Sequence, residues 1–193
     1  MLSTLPRHAG ATLIEIAIGL VILSLLLTMG VPAFDTFLQN TRLRTRAESV
    51  QAALQLARAE AVKRNSTVEM VLTDDEPVIT TVNALAPSTA GNNWVVRSYD
   101  PATMFYAFIE GKVGGDSQTT TTAVAASNAI VTFTGFGSTT LGAAATFQFT
   151  SPSAGVCAAA GGPVRCLNVV VTPGGQIRMC DPAVTDTGDT RKC

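Results

Sequence analysis

The order of apolar and polar residues divides the chain into three textures. Ile16 to Phe34 runs for nineteen residues without a charge. A helix of that length is roughly 28 Å long, about the thickness of a bilayer's hydrocarbon core. A helix in a soluble core is seldom apolar on every face for so long. The second texture, Asp35 to Arg64, is periodic. Ala47, Val50, Leu54, Ala57 and Ala61 recur at intervals of three and four, among the polar residues Glu48, Gln51, Gln55, Arg58 and Lys63. That is one apolar stripe on an amphipathic helix. The two stretches together predict a single helix of about 50 residues, stopping at Asn65-Ser66, with its first half suited to lipid and its second to a sheet. Pro32 lacks an amide proton and leaves the carbonyl of Thr28 without its helical donor. A kink or loosened turn is therefore expected around Gly30 and Pro32.

The third texture is short runs rich in Val, Ile, Thr and Phe, separated by turn residues. It predicts strands at Thr67–Leu72, Val78–Val82, Trp94–Tyr99, Met104–Ile109, Ala129–Thr134, Ala145–Thr150, Leu167–Thr172 and Gln176–Cys180. Pro173-Gly174-Gly175 reads as the turn joining the last two. Asp116–Ser127, rich in Thr, Ala and Ser, reads as an exposed loop. Helices and strands do not alternate, which argues against a parallel sheet. The expected fold class is α+β: a long N-terminal helix packed on an antiparallel β-rich globular head, with Trp94 in its core.

Composition sharpens this picture. Charged residues make up 14% of the chain, against roughly 25% in ordinary soluble domains. Thirteen basic residues oppose fourteen acidic ones, so no bulk attraction to nucleic acid or anionic lipid is expected. Arg42, Arg44 and Arg46, just beyond the apolar run, read as the solvated face of the helix. Four cysteines fall late, at Cys157, Cys166, Cys180 and Cys193, with no C-x-x-C spacing and no nearby histidine. That pattern suits two disulfides in an oxidising compartment better than a zinc site. Three pairings exist, and closure between sequence neighbours favours Cys157–Cys166 and Cys180–Cys193.

The single histidine, His8, lies in the first ten residues. The rest of the chain therefore lacks the commonest general base and metal ligand. No nucleophile-elbow, P-loop or dinucleotide-binding pattern is present. Asp74-Asp75-Glu76 reads as a solvated turn. The sequence predicts no catalytic residue, no cofactor and no metal.

The N-terminus carries a family resemblance. Arg7-His8-Ala9-Gly10 followed by Ala11-Thr12-Leu13-Ile14-Glu15 resembles the type IV prepilin processing site. The resemblance implies that a prepilin peptidase cuts after Gly10, on the cytoplasmic side, and methylates the new terminal amine of Ala11. Ala11 stands where the family usually has phenylalanine. Glu15 becomes the fifth residue of the mature chain, where the family uses an acid to pair with a neighbouring subunit's N-terminus during assembly. Locally, Thr12-Leu13-Ile14-Glu15 also fits a capping box. An ordinary secretory signal with cleavage near Val31-Pro32-Ala33 is the rival. The length of the apolar run, the acid at its front and the helical period beyond it oppose that rival. The implied organisation is a leader at 1–10, a transmembrane and assembly half-helix at 11–34, an amphipathic half-helix at 35–65 and a head at 66–193.

Beyond the junction, Leu56–Asn65, Ile130-Val131-Thr132-Phe133 with Gly135, and Leu167–Cys180 resemble the GspH/FimT group of minor pilins and pseudopilins. The ending Cys180-Asp181-Pro182 through Arg191-Lys192-Cys193 looks most like its FimU-type members. The resemblance implies a minor pilin in the tip and assembly-initiation complex of a type IV pilus. Its partners would be other major and minor pilins, with the head in the periplasm and the helix in the inner membrane before assembly. A type II secretion pseudopilin is the alternative. A FimT-like DNA-binding pilin is a second alternative, since that type carries a Gly-Arg-x-Arg segment near its C-terminus. Here the matching stretch is Gly175-Gln176-Ile177-Arg178, which leaves Arg178 as the one matching nucleic-acid contact, with Asp181, Asp186 and Asp189 close in sequence. The expected reading of Arg178 is a solvated strand residue.

Overall fold

Helix α1 spans Leu13–Arg64, and local chemistry sets both of its ends. At its start the Oγ1 of Thr12 accepts the backbone N–H of Glu15 at 3.3 Å, the first half of a capping box. At its end Asn65 adopts the left-handed conformation, with φ of 48°. The N–H of Ser66 donates to the Ala61 carbonyl and that of Asn65 to the Val62 carbonyl. This is a Schellman closure with asparagine in the place usually taken by glycine. The computed structural model describes residues 12–114 and 122–193, and within α1 it leaves aside the side chains of residues 29–33.

Two compact units divide the chain between Phe37 and Leu38. The second contains two four-stranded antiparallel sheets. The first sheet is built from β1 (Val68–Thr73), β2 (Asn93–Asp100), β3 (Phe105–Lys112) and β5 (Ile130–Phe133), in the order β3-β2-β1-β5. The second contains β4 (Ala123–Ala126), β6 (Ala145–Thr150), β7 (Leu167–Val171) and β8 (Ile177–Cys180), in the order β4-β6-β7-β8. Met70 lies opposite Val96 on one side and Val131 on the other, and Phe147 lies opposite Val169.

One core joins the helix to both sheets. Leu43, Ala47, Val50, Ala53, Leu54, Ala57 and Ala61 are buried along the helix. They pack with Val68, Met70, Leu72, Trp94, Val96, Val131 and Phe133 from the first sheet and with Phe147, Phe149, Val169 and Val171 from the second. Each large apolar side chain so buried contributes about 1.5–3 kcal/mol. The Nε1 of Trp94 donates to Ser49 Oγ at 3.0 Å, which satisfies the indole's one polar group.

The structure corrects three expectations. Val78–Val82 is a turn region and not a strand. The hydroxyl of Thr81 donates to the carbonyls of Glu76 and Val78, drawing the backbone away from a ladder. Val82 and Leu85 instead cover Val95, Tyr106 and Phe108 on the first sheet. Asp116–Ser127 is not wholly an exposed loop: Ala123–Ala126 pairs with β6, and Val124 is buried. Residues 115–121 lie outside the description.

The third correction is Arg46, which is buried and not part of a solvated face. It follows Leu43 by three residues and so turns toward the same side of the helix. Its Nε and Nη2 have no hydrogen-bond partner among the described residues, and burial lowers its pKa to about 10. It remains a cation at neutral pH, with a desolvation cost that no acid among the described residues offsets. Replacing Arg46 with methionine, of similar volume, is expected to raise the unfolding free energy by about 1–3 kcal/mol. Urea unfolding checks this; a fall in stability would contradict it.

Candidate functional site

The described start of α1 exposes large apolar side chains around its whole circumference. Leu13, Ile14, Ile18, Ile22 and Leu23, which point to different sides of the helix, are each between 52% and 87% exposed. The polar groups among them turn inward: Ser24 and Thr28 donate their hydroxyls to the carbonyls of Val21 and Leu25, each at 2.8 Å. Their hydrogen bonds are thereby met within the helix itself. Glu15 is the one charged residue between Thr12 and Phe34, and its backbone is held by the Thr12 cap.

Gly10 and Ala11 lie outside the described residues. Gly30 and Pro32 fall within the span of α1, but their side chains belong to the part of the helix left aside. Among the described residues, no helix is long and apolar enough to cross a membrane.

The C-terminal region is built around the two disulfides, Cys157–Cys166 and Cys180–Cys193. The second brings Cys193 back to Cys180, the last residue of β8. The N–H of Asp181 donates to the Arg191 carbonyl, and the Asp181 carboxylate faces Arg165 at 3.6 Å. Arg178 is not a freely solvated residue. Its Nη1 donates to the Lys192 carbonyl at 2.9 Å and its Nη2 to the Cys193 carbonyl at 3.3 Å. Beside it, Arg191 forks onto Asp189. These hydrogen bonds hold the Asp189 carboxyl at about 2, so the pair stays charged through the neutral range. The guanidinium that sequence reasoning offered to nucleic acid is occupied in fastening the tail.

Of the basic trio, Arg42 and Arg44 are exposed. Arg44 pairs with Glu48 at 2.8 Å. Asp74 and Asp75 act as turn locks: Asp75 accepts the N–H of Ala86 at 2.7 Å and Asp74 that of Asn92 at 3.3 Å. Among the described residues, no group of three or more His, Cys, Asp or Glu is placed to hold a metal ion.

Sequence reasoning missed two features. Arg97 is buried on the outer face of the first sheet. Its Nε donates to Glu69 at 3.0 Å and its Nη1 to the Val82 carbonyl at 2.9 Å, while its guanidinium lies 3.7 Å from the centre of the Tyr106 ring. The alternation along β2 points Arg97 to the face opposite Val96, which is the only hint the sequence carries. The second is Phe136, which is 93% exposed in the turn after β5. The pair of glycines around it marks the turn but not the exposure.

Comparison with known proteins agrees with this architecture. The family model described as type II transport protein GspH matches residues 46–175, from the buried part of α1 to the turn before β8. The crystal structure of the type IV minor pilin FimU of Pseudomonas aeruginosa (strain PAO1) superposes with a TM-score of 0.54. It covers 74% of this chain and 91% of its own at 18% identity. A second crystal form of FimU gives 0.50 at 17% identity, over 70% of this chain and 90% of that one. The solution structure of E. coli GspH gives 0.44 at 15% identity, over 78% and 94% of the two chains. Comparison with curated proteins returned no match. The FimU likeness establishes a shared pilin fold, and the family match spans more than half of the chain. The chain belongs to the GspH family, and it is a structural subunit of the minor pilin or pseudopilin type and not an enzyme.

Proposed function

We propose that the chain is a minor pilin of a type IV pilus, built into the tip complex that starts assembly and acting through contact with other pilins. The observation that carries this reading is the exposed apolar start of α1. Each large apolar side chain left in water forgoes about 1.5–3 kcal/mol, and those from Leu13 to Leu27 face outward on every side. Such a segment needs lipid or the helices of other subunits around it.

In this reading the prepilin peptidase removes residues 1–10 and methylates Ala11. Residues 11–34 hold the chain in the inner membrane with its head, 66–193, in the periplasm. Assembly then moves the helix from lipid into the fibre. Glu15 pairs with the terminal amine of a neighbouring subunit, because a carboxylate left unpaired in an apolar helical core costs a few kcal/mol. A loosened turn at Gly30 and Pro32 accommodates the transfer.

The disulfide-closed tail after Cys180, which resembles that of FimU-type minor pilins, favours the pilus branch. The family model itself favours a second reading, a minor pseudopilin of type II secretion. The DNA-uptake reading loses support because Arg178 already donates to two tail carbonyls. A single remaining phosphate contact would contribute little to a salt-dependent affinity built from several.

N-terminal sequencing of the mature protein is expected to begin at Ala11. Glu15→Ala should leave that processing intact and lower the fibre-incorporated fraction, read by immunoblot of sheared fibres, on the order of tenfold. Equal incorporation would remove the assembly role of Glu15. Deletion of the gene should abolish surface pili and leave protein secretion unchanged; failed secretion with normal pili would move the chain to the pseudopilin branch.

A further inference from the structure

The turn after β5 presents an aromatic side chain that the head does not need. Thr134 closes the turn by accepting the Gly137 N–H at 2.8 Å and donating its own N–H to Ser138 at 2.8 Å. The hydroxyls of Thr134 and Ser138 bond to each other at 2.8 Å. Gly135 sits against the Asn65 helix cap, where an added Cβ would lie 2.7 Å from the asparagine side chain. Gly137, at φ of 76°, is packed so that an added Cβ would lie 3.2 Å from Arg58 and 3.3 Å from Val62. The turn is clamped on both sides, and Phe136 between the two glycines is held outward.

Gly137, the residue after Phe136, abuts Arg58 and Val62, two of the residues that line an open groove between α1 and β8 together with Gln55, Ala59, Lys63 and Ile177. Val62 is half exposed there. The charge at this end of the helix is lopsided. Arg58, Lys63 and Arg64 are three cations; Lys63 and Arg64 share the carboxylate of Glu60, at 3.0 Å and 2.7 Å. Among the described residues no acid lines the groove. Rigid aromatic anchors beside cations are what interface hot spots are made of, and Phe136 takes no part in either packed cluster of the head.

We infer that Phe136 and the Arg58–Lys63 groove form a docking surface for another subunit of the same fibre, one that presents an apolar side chain flanked by carboxylates. This rests on the reading of the chain as a fibre subunit and names the face it uses. The excess of two positive charges selects the acidic partner and steers its approach. The apolar floor of Val62, Ala59 and Ile177 receives the partner's side chain next to the Phe136 ring.

The test places a photoreactive benzoylphenylalanine at position 136 of the full chain. That chain is co-expressed with the other prepilin-type subunits of its own cell, and control chains carry the same group at Ile79, which is 70% exposed elsewhere on the head. Irradiation is expected to join position 136, and not position 79, to one subunit, through a peptide bearing Asp or Glu. Combining the probe with Arg58→Glu and Lys63→Glu should lower that adduct on the order of tenfold. Phe136→Ala, at a side chain that supports nothing in the fold, should weaken co-purification with the same subunit without shifting the melting temperature. An adduct to a second copy of this chain, to nucleic acid, or one unmoved by charge reversal overturns the inference. So does the absence of any adduct from a chain that still co-purifies with other subunits, which leaves the fibre-subunit reading standing. A wild-type chain that associates with no subunit removes both.

Discussion

Everything in the head rests on one apolar seam, the face of α1 from Leu43 to Ala61. Neither four-stranded sheet could bury its inner face alone, and the helix supplies the surface that both share. The composition of the seam explains its closeness. Ala47, Ala53, Ala57 and Ala61 let backbone approach backbone, while Leu43, Val50 and Leu54 fill the space between them. Polar contacts fasten the N-terminal side of the seam: Ser151 donates to Gln39 at 2.9 Å, and the N–H of Arg165 donates to Asn40 at 2.8 Å. Packed interiors of this kind tolerate little change of volume, so the helix and the sheets specify each other.

A β-rich head must also keep its sheet edges from pairing with other chains. Two edge strands carry added contacts of different kinds. On β3 the side chain of Asn83 engages both backbone groups of Tyr106, accepting its N–H at 2.6 Å and donating to its carbonyl at 3.5 Å. On β8 the returning tail supplies them, fixed by Cys180–Cys193, by Arg178 and by the N–H of Asp181. The cross-link contributes roughly 3 kcal/mol by limiting the unfolded chain, and it fastens the tail to the last residue of β8.

The helix and most strands were legible because their residues follow a simple period. The 3-4 spacing from Ala47 to Ala61 marked the buried face, and Ala145–Thr150 coincides with β6. Thr12 and Asn65 were readable as cap residues from chemistry alone. What failed depended on partners far away in sequence. Val78–Val82 has strand-like composition, but Thr81 and the apolar cover that Val82 and Leu85 give β2 and β3 turned it into a lid. Ala123–Ala126 looked too plain to be a strand, and its pairing with β6 made it one. Arg46 carried the signature of a solvated cation, and only its angular position relative to Leu43 placed it inside. The role of Arg178 could not be read at all without knowing that the tail folds back over β8.

The dependence of the head on the helical seam is tested most directly by cutting the chain at the two ends of that seam. A fragment of residues 38–193 and one of residues 66–193 would be compared, both with disulfides intact, by hydrogen exchange and thermal unfolding. The longer fragment should melt in one cooperative transition, with the amides of Ala47–Ala61 among its most protected. The shorter one should show no such transition and no protected sheet amides. A shorter fragment that melted as cooperatively as the longer one would contradict the account.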